Sequence, residues 1–121
     1  MSSVNQAVLR TTLLDDAQVG STNGTSQWIN VQGYRWITFY FKTTGNPGAG
    51  TCLIEECDYD PNTAGPGTFT ASSITTVDID VSVGTDGQYA YHLPVAAYSF
   101  LRARIGTSVT VATLDVVMVA V

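Results

Sequence analysis

The densest group of oxygen ligands is an acidic run in the middle of the chain: Glu55, Glu56, Asp58, Asp60 and Asn62. Its second part, Asp58-x-Asp60-x-Asn62, matches the first half of a calcium loop, because hard cations prefer carboxylate and amide oxygens. Such a loop needs glycine at its sixth position and a bidentate glutamate at its twelfth, where this chain has Thr63 and Phe69. The sequence therefore excludes an EF-hand and favours a solvated turn. Asp58, Asp60 and Asn62 are left as weak candidates for a looser cation site.

The remaining reactive side chains do not assemble into a catalytic pattern. A zinc site at the single histidine, His92, would have to recruit Cys52 and Cys57, which lie on opposite faces of one predicted strand. No Gly-x-Ser-x-Gly motif accompanies His92 to suggest a serine nucleophile. Adjacent residues of a strand point to opposite faces, so Glu55 and Glu56 cannot flank one glycosidic bond. We therefore predict that the protein is not an enzyme and takes no cofactor.

Two pairs of residues near these groups have structural interpretations. Cys52 and Cys57 are five positions apart, which is a poor geometry for a disulfide within one strand, so we expect two free thiols. Arg102 and Arg104 share one strand face with Phe100. These arginines either form a solvated outer face or meet a carboxylate, across strands or from another subunit.

Composition limits the possible partners. A chain of 121 residues fits one domain, and its charged fraction of 12% is about half the usual share for a soluble domain. We therefore expect part of the surface to be covered by another molecule. The net charge of −5 argues against binding to nucleic-acid phosphates. The beginning of the sequence resembles no secretion signal and no apolar run is long enough to span a bilayer, which favours folding in a cytoplasm without membrane attachment.

A repeated pattern indicates how the strands are organised. The segment Ile29-x-Val31-x-Gly33-Tyr34-x-Trp36-Ile37-x-Phe39-x-Phe41 recurs 64 residues later as Leu93-x-Val95-x-Ala97-Tyr98-x-Phe100-Leu101-x-Ala103-x-Ile105. Each copy predicts a short strand, a tight corner at a small residue and a longer alternating strand. The repeat favours two half-motifs packed as facing sheets.

The whole chain predicts strands and almost no helix. The clearest alternation runs from Thr75 to Val83 and predicts four inward residues: Val77, Ile79, Val81 and Val83. No segment keeps an amphipathic helical period with matching start and stop signals. We therefore predict an all-β protein, a β-sandwich of jelly-roll type with eight or nine short antiparallel strands, and a small closed barrel is the alternative. Residues 1–14 are predicted as an N-terminal arm or first strand, and residues 15–121 as a single β-sandwich domain.

The carboxyl-terminal strand indicates assembly. From Leu114 to Val121 the only charge is Asp115, and both strand faces beyond it are apolar. A free edge strand of this kind would aggregate, so it is either central in a sheet or covered by another chain. The predicted interface combines this strand with the amino-terminal segment: Val4, Val8, Leu9, Leu13, Leu14, Val117, Val119 and Val121.

Four segments resemble small β-sandwich proteins of tailed bacteriophage virions. They are Val31-Gln-Gly33-Tyr34-Arg-Trp36, then Thr44-Gly45, then Gly50-Thr-Cys-Leu-Ile-Glu55-Glu-Cys-Asp58, and finally Tyr98-Ser-Phe-Leu101-Arg102-Ala-Arg104. In that group a Gly-Tyr corner opens a strand, a Thr-Gly loop leads to a strand ending in an acidic turn, and an arginine-containing strand comes late. This chain departs from the group after Asp60, where Pro61 and Asn62 stand in place of the usual Gly. The group usually has a Trp soon after that Gly, whereas the nearest aromatic residue here is Phe69.

The resemblance implies a structural role in the virion. It implies a capsid decoration (cement) protein, assembled in the host cytoplasm, that binds the major capsid protein at the capsid surface and stabilises the shell as a homo-oligomer, namely a trimer. The alternative is a carbohydrate-binding or adhesin module of a tail or head fibre, because exposed aromatic residues can stack on sugars. A third interpretation is a virion-completion or tail-tube protein.

Overall fold

The computed structural model describes residues 8–17, 24–57, 71–93, 100–107 and 112–121. These residues form eight strands: β1 (Leu9–Ala17), β2 (Ile29–Asn30), β3 (Ile37–Thr44), β4 (Thr51–Cys57), β5 (Ser72–Asp78), β6 (Gln88–Leu93), β7 (Phe100–Ile105) and β8 (Thr113–Ala120). One π-helical turn, Ile79–Val83, is the only helical element among the described residues. No helix in these ranges has the length and apolar character needed to cross a membrane.

The strands form two four-stranded antiparallel sheets. The first, sheet A, has the order β1-β8-β3-β6, and the second, sheet B, has the order β2-β7-β4-β5. The first strand thus pairs with the eighth, the second with the seventh, the third with the sixth and the fourth with the fifth. Winding one long hairpin into two facing sheets produces this order, which is compatible with a jelly roll. The predicted all-β sandwich is confirmed.

The core lies between the two sheets and follows strand alternation. In β3 the buried side chains are Ile37, Phe39 and Phe41, and β8 buries Leu114, Val116, Met118 and Ala120. Sheet B contributes Cys52, Ile54, Leu101 and Ala103 to the same cluster. Residues of alternate parity on each strand consequently point away from the core.

The two copies of the repeat pair with each other. Ile29 lies opposite Leu101, and Ile37 lies opposite Leu93. Leu93 is the repeat equivalent of Ile29, and Leu101 is the equivalent of Ile37. The pairing is therefore reciprocal, like that of two copies related by a two-fold axis. Each copy therefore contributes one strand to each sheet, and the prediction that the half-motifs form separate sheets was wrong.

The corner of the first copy is built as predicted. The amide of Tyr34 donates to the carbonyl of Val31, and Gly33 between them has φ +90°. A positive φ at the third residue of such a turn favours glycine, because a side chain there would be strained. The equivalent corner at Ala97 lies outside the described residues.

The carboxyl-terminal strand is central in its sheet. β8 lies between β1 and β3 and pairs with both over most of its length. Of the two arrangements predicted for this strand, the structure adopts the central one. β1 runs from Leu9 to Ala17, so the predicted boundary between residues 14 and 15 lies inside a strand of the sandwich.

The segment from Thr75 to Val83 differs from its prediction. The strand ends at Asp78, whose side chain accepts a hydrogen bond from the Val81 amide and so caps the π-helical turn. The Gly84 amide then donates to the Ile79 carbonyl and closes it. Val77, Ile79 and Val83 are buried as predicted, but the turn directs Val81 into solvent. The alternation of the sequence does not reveal this change, because a prediction from alternation assumes an unbroken strand.

Candidate functional site

The outward face of sheet A carries four of the five exposed large hydrophobic residues of the described chain: Val8, Trp36, Tyr40 and Val121. On β8, Val117 and Val119 lie between the buried residues and face away from the core. Their cross-strand neighbours on β3 are Tyr40 for Val117 and Thr38 for Val119. The outward face therefore carries partly exposed apolar and aromatic side chains on two neighbouring strands, β8 and β3.

One end of this face is hydrophobic. Trp36 is 58% exposed and exchanges backbone hydrogen bonds with Val121, which is also exposed. Val8 precedes Leu9, which pairs with Ala120, and it is 62% exposed. We call Val8, Trp36, Val119 and Val121 the apolar end of sheet A. A tryptophan and a valine exposed this far are uncommon in a small charge-poor surface, and they are typical of a contact region.

The other end of the same face is a groove with a volume of about 600 Å³. We call it the polar groove, and its polar lining comes from four strands: Arg10, Asp15, Tyr40, Lys42, Gln88 and Asp115. Lys42 lies opposite Asp115 on one side and Gln88 on the other. Two cationic side chains and two carboxylates therefore surround an aromatic ring.

The structure brings together half of the predicted interface residues. Val8, Val117, Val119 and Val121 share the outward face of sheet A. Leu9 is half-buried and packs against the core. Leu13 and Leu14 are core residues, because a register shift in β1 turns both inward, and their burial removes them from the predicted interface. Val4 lies outside the described residues.

Sequence reasoning missed the groove-lining residues Arg10, Lys42 and Gln88. Alternation in each strand places them on an outward face, but it does not show which strands lie side by side. Trp36 and Tyr40 carry a clearer signal in the sequence, since both faces of the strand from Arg35 to Lys42 are largely apolar or aromatic and only one of them can meet the core.

Sheet B carries a cluster of charges on its outward face. Glu55 on β4 accepts from the Nε atoms of Arg102 and Arg104 on β7, at 2.9 and 3.0 Å, and from Nη2 of Arg104 at 3.1 Å. The guanidinium of Arg102 also lies 4.4 Å from the ring centre of Trp28, a cation–π distance. The sequence left these arginines either on a solvated outer face or paired with a carboxylate. The structure shows the pairing, with a carboxylate on the neighbouring strand.

The cluster determines the ionisation of its carboxylate. Glu55 is only 5% exposed. Burial raises the pKa of Glu55, but the hydrogen bonds and charges of Arg104 and Arg102 outweigh burial, so its pKa lies below the 4.5 of an unperturbed glutamate. The same hydrogen bond raises the pKa of Arg104. The cluster is an ion network that links β4 to β7.

We expect this network to make stability depend on acid pH. A carboxylate with a depressed pKa contributes stability above its unfolded pKa and loses it as the pH falls through the folded value. Glu55 therefore contributes fully above about pH 5 and progressively less below pH 4.5. The measurement is the free energy of unfolding in urea from pH 7 to pH 3, for the wild type and for Glu55→Gln. The difference in the free energy of unfolding between the two proteins is expected to become smaller as the pH falls. A difference that stayed constant would contradict the role of Glu55.

The two cysteines are buried and are not joined in a disulfide, as predicted. Burial raises the pKa of Cys52 to about 12, because a thiolate is poorly solvated in the core. At pH 8 the thiolate fraction of Cys52 is then on the order of 1000-fold below that of an exposed thiol. We expect iodoacetamide to leave Cys52 of the native protein unmodified and to label it in urea, as read by peptide mass spectrometry. If native Cys52 reacted with iodoacetamide at a rate within tenfold of the rate for glutathione, the predicted protection of Cys52 would be wrong.

The predicted cation ligands Asp58, Asp60 and Asn62 lie outside the described residues. The structure instead brings together Asp15, Asp16 and Asp115, whose carboxylate oxygens lie within 4.8 Å of one another. Asp115 accepts a hydrogen bond from the Asp16 amide at 2.7 Å, and Asp16 has φ +49°. This hydrogen bond holds the irregular end of β1 against β8. An exposed acidic group of this kind needs no cation.

Comparison with known proteins identifies the fold. No family model and no curated protein matches this chain. The crystal structure of the SPBc2 prophage-derived protein YomS matches it with a TM-score of 0.56 at 18% identity, over 98% of both chains. A weaker match, with a TM-score of 0.42 at 11% identity over 94% of this chain and 81% of the other, is to the disulfide-linked pili of Bacillus endospore appendages. The chain therefore shares its fold, along its whole length, with a prophage-derived protein.

Proposed function

We propose that this chain is a structural virion protein, a capsid decoration protein that binds the major capsid protein and stabilises the shell as a homotrimer. The observation that carries the proposal is the exposed apolar end of sheet A. The fold shared with a prophage-derived protein supports a phage setting, and the resemblance of the sequence to virion β-sandwich proteins supports the finer role.

The apolar end is suited to contact between copies of this chain. Trp36 stands at its centre beside Val121 and Val119, and tryptophan is among the residues that contribute most to protein interfaces. β8 lies between two strands and has no free edge, so it contributes side chains of the sheet face, and not backbone pairing, to association here.

Binding to the shell is assigned to the amino-terminal arm. Because residues 9–14 belong to β1, the arm proper is reduced to residues 1–7, which lie outside the described residues. A partner that binds only the assembled shell stabilises it by mass action. Deleting residues 1–7 is therefore expected to abolish binding to the shell and leave the trimer intact.

The first experiment is the solution mass by light scattering across a dilution series at micromolar concentration. A species near three times 12.9 kDa supports the proposal, and a monomer at all concentrations overturns self-association. The second experiment is mass spectrometry of purified particles of the phage or prophage that encodes the chain, with and without its gene. Absence of the chain from particles, or equal heat stability of both particle types, would overturn the decoration role.

The second candidate is a carbohydrate-binding module of a tail or head fibre. The polar groove favours it, because Tyr40 is exposed there among side chains able to bond to hydroxyl groups.

A further inference from the structure

We propose that the polar groove of sheet A is a binding site for a neutral oligosaccharide. It shares no residue with the apolar end, although the two adjoin on the same sheet face where Arg10 lies opposite Val119. A decoration protein with this groove would add glycan binding at the particle surface to its structural role. The inference does not depend on the decoration role.

The floor of the groove provides an aromatic platform. Tyr40 is 47% exposed and stands on β3 between Val117 of β8 and Ala90 of β6. Alanine is the smallest of these three side chains, so it leaves space beside the phenol ring. An exposed ring with open space beside it suits stacking against the apolar face of a sugar.

The next residue pairs of the sheet provide hydrogen-bonding groups beside the ring. Lys42 lies between Asp115 and Gln88. Lys42 only donates hydrogen bonds, Asp115 only accepts them, and Gln88 does both. A sugar hydroxyl donates and accepts at once, so this mixture matches adjacent hydroxyls on one ring.

The charges of the groove determine the class of glycan. Arg10 and Lys42 contribute two cations, and Asp15 and Asp115 contribute two carboxylates. The sum is zero, so the groove has no net attraction for a polyanion, which favours a neutral glycan over an acidic one. The volume of about 600 Å³ lies in the range of sites for small ligands and admits two or three sugar rings.

The test is an array of neutral and acidic glycans probed with the full chain, followed by titration of any neutral ligand found, using amide chemical shifts. We expect a neutral glycan to bind and to shift the amides of Tyr40, Gln88 and Ala90. Tyr40→Ala is expected to weaken binding about tenfold, since it removes the stacking surface. Val81→Ala is the control: an exposed side chain on the π-helical turn that lines neither the groove nor the apolar end, whose loss is expected to leave affinity unchanged.

The outcomes separate this proposal from its alternatives. Failure of every neutral glycan to bind would overturn it, as would binding of acidic glycans alone. Equal loss of affinity in the Tyr40 and Val81 variants would show that the glycan does not bind in the groove. Because both side chains are exposed, both variants are expected to fold, which circular dichroism checks. A protein that binds glycan but is absent from virions would retain this site and lose the decoration role.

Discussion

Replacing Glu55 with glutamine is expected to lower the free energy of unfolding by about 2–3 kcal/mol. The substitution keeps the side-chain volume but leaves Arg102 and Arg104 adjacent without a counter-charge. Removing one partner of a fully buried ion pair costs about 3–5 kcal/mol. The loss here is smaller, because the two arginine side chains are 23% and 37% exposed and water screens part of their repulsion.

Urea denaturation at pH 7 measures this loss, with Glu56→Gln as the matched control on the same strand. Glu56 is half-buried and makes no ion pair with any described residue, so its substitution is expected to change stability by less than about 0.5 kcal/mol. Adding Arg104→Gln to Glu55→Gln is expected to cost less than the sum of the two single changes, since both remove one interaction. A loss below 1 kcal/mol for Glu55→Gln, or simple additivity, would show that the cluster contributes little.

Replacing Trp36 with aspartate is expected to dissociate the oligomer without unfolding the subunit. The indole is exposed in the single chain, so a charge there disturbs no core packing. At the centre of an apolar contact the same charge would lose its water and find no partner. We expect self-association to weaken by at least about 30-fold, which corresponds to the 2 kcal/mol typical of a dominant interface residue.

The matched control is Val81→Asp, which introduces the same charge at an exposed valine on the π-helical turn, outside the apolar end. Light scattering is expected to give a monomer for Trp36→Asp and the wild-type mass for Val81→Asp. Both variants are expected to show a cooperative thermal unfolding transition, as a folded subunit does. If the two variants had the same mass, or if Trp36→Asp kept the wild-type oligomer, the apolar end would not be the contact surface.

The sequence by itself determined which residues face which way along most strands. Alternation puts Ile37, Phe39 and Phe41 on one strand face and Tyr40 on the other, and the structure buries the first face. The uncharged end of the chain predicted that β8 would be either central in a sheet or covered by another chain, and the Gly33 corner was predicted from residue size. These features are local, because the period of the backbone and the strain of a positive φ act within a few residues.

Where local geometry departs from an ideal strand, alternation fails. The register shift in β1 buries Leu13 and Leu14 together, and the cap from Asp78 turns Val81 outward. Both departures depend on contacts with other strands or on a side-chain hydrogen bond, which a repeating pattern of hydrophobic residues does not record.

The tertiary structure alone decided what lies beside what. Glu55 meets Arg102 and Arg104 across 47 and 49 residues of chain, and the polar groove joins four strands whose order no single segment encodes. The reciprocal pairing of the two repeat copies likewise appears only in the sheets. Strand neighbours are selected by the burial of the whole core and by satisfaction of all backbone hydrogen bonds at once, so they are a property of the complete fold and not of any local pattern.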